Sequence, residues 1–158
     1  MITKRNEKNF WKNTAKTAAK NFQKHHDILS LNLTMPELDN EGLEILCNHI
    51  SHARVVNLTD TYVSDAGIAF LKNINGIEEL VLKDLPLSYI AVQEIAKLPN
   101  LKSLRISGNI SCKNLLLLSQ TKSIQEIIAS TTDIDMVSIN VLKQNLNLKE
   151  LIINSKKY

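Results

Sequence analysis

The segment Val63-Ser64-Asp65-Ala66-Gly67-Ile68 restates the pattern of Leu38-Asp39-Asn40-Glu41-Gly42-Leu43, 25 residues before it. The register continues along the chain. Residues equivalent to Leu38 and Val63 stand at Leu87, Ile110 and Ile134, at spacings of 25, 24, 23 and 24. Upstream of each lies a triple of the form L-x-x-L-x-L: Ile28/Leu31/Leu33, Ala53/Val56/Leu58, Ile77/Leu80/Leu82, Leu101/Leu104/Ile106 and Ile124/Ile127/Ala129. A sixth, Leu148/Leu151/Ile153, follows near the end. A sustained period of this length is the mark of a repeat array, whose units bury their apolar faces only against neighbours.

Each column has a physical reading. The alternating L-x-L is a short strand with one buried face. The residue after the fifth apolar position is Asp39, Ser64, Ser88, Ser111 or Asp135, and all are good helix N-caps. Four residues past each cap stand Leu43, Ile68, Val92, Leu115 and Ile139, and seven past stand Leu46, Leu71, Ile95, Leu118 and Leu142. Those two positions share one helix face. Just before the first of them come Gly42, Gly67, Ala91, Asn114 and Ser138, small enough for close approach. Each unit therefore reads as strand, turn, helix and return.

The pattern resembles leucine-rich repeat proteins, and Val63-Ser64-Asp65-Ala66-Gly67-Ile68 is similar to the I-T-D-x-G-L signature of their cysteine-containing class. The resemblance covers residues 28–158, about five repeats plus a terminal strand. It implies an α/β fold: a right-handed solenoid with a parallel sheet on the concave side and helices on the convex side. The Asn/Cys/Thr site of that family is matched by Thr61, Asn109 and Thr132 and replaced by Pro36 and Leu85. The fourth repeat is one residue short between Ile106 and Ile110.

A chain of 158 residues with 44 % hydrophobic and 22 % charged residues has globular composition. Two cysteines, Cys47 and Cys112, cannot build a disulfide framework, which points to a reduced, cytoplasmic compartment. No apolar stretch follows the first basic residues, so neither a signal peptide nor a membrane span is expected.

Charge is unevenly spread. Residues 1–26 carry seven lysines and arginines against one acid, while residues 27–158 carry twelve bases against fifteen acids. Residues 1–27 read as a separate basic amphipathic helix starting near Lys8 or Asn9, with Trp11, Ala15, Ala18 and Phe22 on one side and Lys12, Lys16, Lys20 and Lys24 on the other. The favoured reading is a cap, Trp11 and Phe22 covering the open end of the first repeat. The alternative is an arm for acidic lipid or nucleic acid. A transit peptide is disfavoured by scarce arginine and by Glu7.

No chemical motif stands out. Cys47, His49 and His52 lack a fourth ligand for zinc, and His25-His26-Asp27 has no partner acid cluster. No phosphate-binding glycine loop and no nucleophile elbow occur. The sequence therefore predicts a non-enzymatic protein with no cofactor and no metal.

The outward face of the sheet is more informative. Its central column reads Asn32, Asn57, Val81, Arg105, Ile128 and Ile152; the column before it includes Glu79, Glu126 and Glu150, and the column after it Lys83. An arginine beside contiguous aliphatics with a charged border is the composition of a protein-binding hot spot. Glu79, Val81, Lys83, Arg105, Glu126, Ile128, Glu150 and Ile152 are thus the candidate contact residues for another protein on the concave face. An adaptor or an immunity-type inhibitor fits; the acidic body argues against nucleic acid or membrane as the main partner. The sixth strand is expected to lie uncovered, so self-association at that C-terminal edge competes with the face.

Overall fold

A computed structural model describes residues 4–24, 30–145 and 147–158, with the side chains of the first helix described for residues 8–17 and 20. The elements alternate: α1 (Lys4–Lys24), β1 (Ser30–Asn32), α2 (Asn40–Cys47), β2 (Val55–Asn57), α3 (Asp65–Ile68), β3 (Glu79–Leu82), α4 (Tyr89–Ile95), β4 (Ser103–Ser107), α5 (Cys112–Leu115), β5 (Glu126–Ser130), α6 (Met136–Lys143), β6 (Glu150–Ile153) and β7 (Lys156–Lys157). The short α3 and α5 run on as 3-10 turns over Ala69–Asn73 and Leu116–Gln120. All strands lie in one sheet in sequence order, β1 to β6 parallel and β7 antiparallel. Successive helices pack on one another in the same order. The chain is α/β, a mostly parallel sheet alternating with helices.

The aligned columns of the sequence are the register of the sheet. Leu31, Val56, Leu80, Leu104, Ile127 and Leu151 are consecutive Cα partners across six strands. Each is buried, as are both helical columns from Leu43 to Ile139 and from Leu46 to Leu142. Burying a branched aliphatic side chain is worth roughly 1.5–3 kcal/mol, and one contiguous core runs from Trp11 to Ile153. Ile28 lies outside the described residues.

All five expected N-caps occupy the cap position. Asp39 accepts from Gly42 N, Ser88 from Ile90 N and Asp135 from Val137 N and Ser138 N, while Ser111 and Asn114 complete a reciprocal capping box. Ser64 differs. Its hydroxyl accepts from Asn40 Nδ2 at 2.9 Å and its N–H donates to Asn40 Oδ1 at 2.9 Å, so it ties α3 to the preceding unit.

Three expectations are corrected. Ile134 does not join the buried column of Leu38, Val63, Leu87 and Ile110; it is 48 % exposed. Each of the others is covered by the unit that follows, as Tyr62 N donates to Leu38 O and Thr132 N to Ile110 O. Past Ile134 the chain turns back before an equivalent cover forms. The sixth strand is likewise not uncovered. Asn154 and Ser155 adopt φ of 49° and 66°, a tight turn that returns the chain so Ile152 pairs with Lys157 and Ile153 with Lys156. Ile153 is fully buried, so it belongs to the core and not to an edge. Finally, α1 starts at Lys4, earlier than expected, because Lys8 is not forced under the apolar face: it pairs with Glu41 at 3.4 Å.

Helix α1 lies on α2. Trp11 is 2 % exposed and Ala15 is buried, whereas Phe10 is 53 % exposed, edge-on to Trp11 with ring centroids 4.9 Å apart. Gly42 makes room for this: a Cβ there would sit 2.8 Å from Trp11 Nε1. Ala18, Phe22 and Lys24 have no described side chains, so Phe22's place in the cap lies outside the described residues.

Candidate functional site

Strand residues between the buried L-x-L positions face away from the core, and parallel register sets them side by side about 4.8 Å apart. Val81, Arg105, Ile128 and Ile152 are direct Cα partners across β3, β4, β5 and β6. Val81, Ile128 and Ile152 are half-buried and Arg105 is exposed. The aliphatics are thus partly sheltered by one another while keeping surface to offer.

The row before them aligns Glu79, Ser103, Glu126 and Glu150. Glu126 Oε1 accepts from Ser103 Oγ at 2.6 Å and lies 3.7 Å from Arg105 Nε. Glu150 Oε1 accepts from Lys157 Nζ at 2.7 Å. That hydrogen bond, reinforced by the charge of Lys157, holds the Glu150 carboxyl below its ordinary range, with a smaller contribution from Arg105. The second half of the face therefore carries its charge in local pairs. Glu79 and Lys83 sit at opposite corners of Val81, the first on β3 and the second just past it, and form no ion pair among the described residues.

The first half of the face differs chemically. Asn57 donates to Asn32 Oδ1 at 3.0 Å, and its own Oδ1 accepts from Thr59 N at 3.0 Å and Thr59 Oγ1 at 2.7 Å. These polar groups satisfy each other, and beside them Val55 is the half-buried aliphatic of β1 and β2 on this face. All eight sequence-predicted residues lie on or beside β3 to β6, and the register joins them into one patch. Lys157 was missed. Its contact depends on the reversal at Asn154-Ser155, and only the Asn-Ser pair after a strand could have signalled it.

The other chemical candidates disperse. Cys47 is buried, and burial pushes its thiol up to about 12, while His49 Nδ1 lies 2.7 Å from Ile45 O on the same helix. Cys112 is buried with its Sγ 3.3 Å from Asp133 O. Among the described residues no three His, Cys, Asp or Glu side chains converge as a metal site, and no helix is long and apolar enough to cross a membrane. His25, His26 and Asp27 lie outside the described residues.

No protein-family model matches this chain, and no curated protein resembles it in sequence.

Proposed function

We propose that this chain is a non-enzymatic, cytoplasmic module of the leucine-rich repeat kind that binds another protein through the outer face of its sheet. In this reading residues 28–158 form a right-handed solenoid with that sheet concave and the helices convex, and α1 is its N-terminal cap. The carrying observation is the ladder Val81–Arg105–Ile128–Ile152, four cross-strand partners that set one exposed guanidinium beside a half-buried aliphatic strip. Arg105 uses its Nε toward Glu126, and a planar guanidinium has further N–H groups for a partner's carboxylate. An arginine anchor ringed by groups that exclude water is the usual make-up of a hot spot. Adaptor and inhibitor of one cognate protein are both served by such a face.

A second reading rests on α1. Lys12, Lys16 and Lys20 are all exposed, which suits contact with acidic lipid or a nucleic-acid backbone.

The test compares complexes recovered from native lysate by wild type, Arg105→Glu and Ile128→Asp. Each variant is expected to keep its unfolding midpoint while weakening the cognate complex by roughly 2 kcal/mol or more. Wild-type affinity in both folded variants overturns the assignment of the face.

A further inference from the structure

We propose that the edge of the sheet where the strands begin is a docking groove for an extended acidic peptide segment. Because β1 to β6 are parallel, all their starts lie on one edge and all their ends on the other. Three hollows adjoin along the first edge. One of about 120 Å³ lies between Lys72 and Lys97, one of about 380 Å³ between Lys102, Lys122 and Lys149, and one of about 490 Å³ beside Lys122. The first two share Pro99 and Asn100 and the last two Lys122 and Asn147, so the three lie in a row, each sharing residues with the next.

Its charge is opposite to that of the body. The hollows are lined by those five lysines and by one acid, Glu78. Arg54 stands just before β2, while Glu79, Glu126 and Glu150, the first residues of β3, β5 and β6, belong to the outer face of the sheet. Asp39, Asp60, Asp65, Asp84 and Asp135 gather on the far edge, where strands end and helices begin. Helix dipoles favour carboxylates at helix starts and cations at helix ends, which accounts for the acidic edge and for Lys72 and Lys97. They do not account for Arg54, Lys102 and Lys149, which immediately precede β2, β4 and β6.

Local pairing leaves the groove positive. Lys97 pairs with Glu94 at 2.6 Å and Lys102 with Glu78 at 2.8 Å. Lys149 donates to the neutral Gln125 at 3.1 Å, and Lys72 and Lys122 form no ion pair among the described residues. No aromatic ring lines the hollows, so the groove lacks the stacking platform that single-stranded nucleic acid uses. The side-chain amides of Asn100 and Gln144 line it instead, groups that can both donate to and accept from a peptide backbone. Alternate carboxylates of an extended peptide recur about every 6.7 Å, a spacing flexible lysine stems can follow.

The experiment measures fluorescence anisotropy of labelled decaglutamate, and of an oligothymidylate of the same length, with the full chain at low and physiological salt. Wild type is expected to bind decaglutamate more tightly than the oligonucleotide. The double variant Lys122→Glu/Lys149→Glu should weaken decaglutamate by about tenfold or more. The neutral pair Lys122→Gln/Lys149→Gln should show a smaller loss, and it carries the test should the reversed pair not fold. Lys12→Glu/Lys16→Glu on α1 should bind like wild type, which separates this groove from that helix. Four results overturn the proposal: no binding by wild type at low salt, unchanged binding by the edge variants, loss of binding in the α1 variant, or tighter binding of the oligonucleotide. Self-association of wild type that the edge variants abolish would instead give the groove to the acidic edge of a second copy.

Discussion

Asp65 receives both polar hydrogens of Ser88, 23 residues further on: its Oδ1 accepts from Ser88 N at 2.8 Å and its Oδ2 from Ser88 Oγ at 2.6 Å. Asp65 opens α3 and Ser88 caps α4, so one carboxylate fixes the start of the next helix against its own. Asn40 and Ser64 make a corresponding tie one unit earlier, with Asn40 Oδ1 accepting from Ser64 N but its Nδ2 donating to the Ser64 hydroxyl.

Asp65→Ala should cost about 1.5–3 kcal/mol, the range for hydrogen bonds to a charged group, with Ser88→Ala costing less because the N–H bond to the carboxylate survives. Chemical denaturation measures both. A Ser88 variant that is the more damaging of the two would show that the local cap, and not the tie between units, carries the energy.

Leu80→Ala and Leu104→Ala remove fully buried, adjacent side chains from the middle of the sheet. Each is expected to lose on the order of 2–5 kcal/mol through the lost transfer energy and the cavity left behind. A loss below about 0.5 kcal/mol in equilibrium unfolding would place them outside the core.

Trp11 is the only tryptophan of the chain, so its emission reports the docking of α1 on α2. Its indole N–H is buried without a hydrogen-bond partner, which weakens the contact by about 1–3 kcal/mol. Trp11→Phe should therefore be milder than Trp11→Ala, and removal of residues 1–24 should lower the melting temperature. Unchanged melting together with loss of a salt-dependent affinity for anionic liposomes or DNA would favour the basic-arm reading.

Thiol chemistry offers an independent check on burial. With Cys47 held protonated by its apolar surroundings and Cys112 buried, neither should react with a thiol-specific reagent at neutral pH until the chain unfolds, since the thiolate is the reactive form. Rapid native-state labelling of Cys47 would contradict the packing of α2.

The strand β7 is held by Lys157 on Glu150 and by Tyr158 N donating to Leu151 O at 2.9 Å. The Glu150 carboxyl titrates lower in the folded chain than in the unfolded one. Its contribution is therefore full above the ordinary carboxylate range and is lost as pH falls through the lowered value. Hydrogen exchange at the Tyr158 amide should be protected near neutral pH and lose protection relative to β3 in acid. Removing residues 154–158 should bare the edge of β6 and increase self-association, measured by sedimentation.

Within each unit nearly everything was legible in the sequence. A two-residue alternation, a cap and an apolar pair four and seven residues later obey local rules that every copy repeats, so the columns from Leu31 to Leu151 and from Leu43 to Ile139 could be aligned without coordinates. The eight candidate face residues were legible for the same reason, because parallel register turns a column of sequence into a row of neighbours.

Only the tertiary structure decided the ends of the array and the ties between units. Ile134 satisfies the sequence rule of Leu38 and Val63, yet it is exposed because the chain reverses at Asn154-Ser155 instead of covering it. That reversal, the slot that Gly42 leaves for Trp11 and the grip of Asp65 on Ser88 each join residues at least one element apart. Periodicity reports what a residue does inside its unit. What it does for its neighbours depends on distances that exist only once the units have packed.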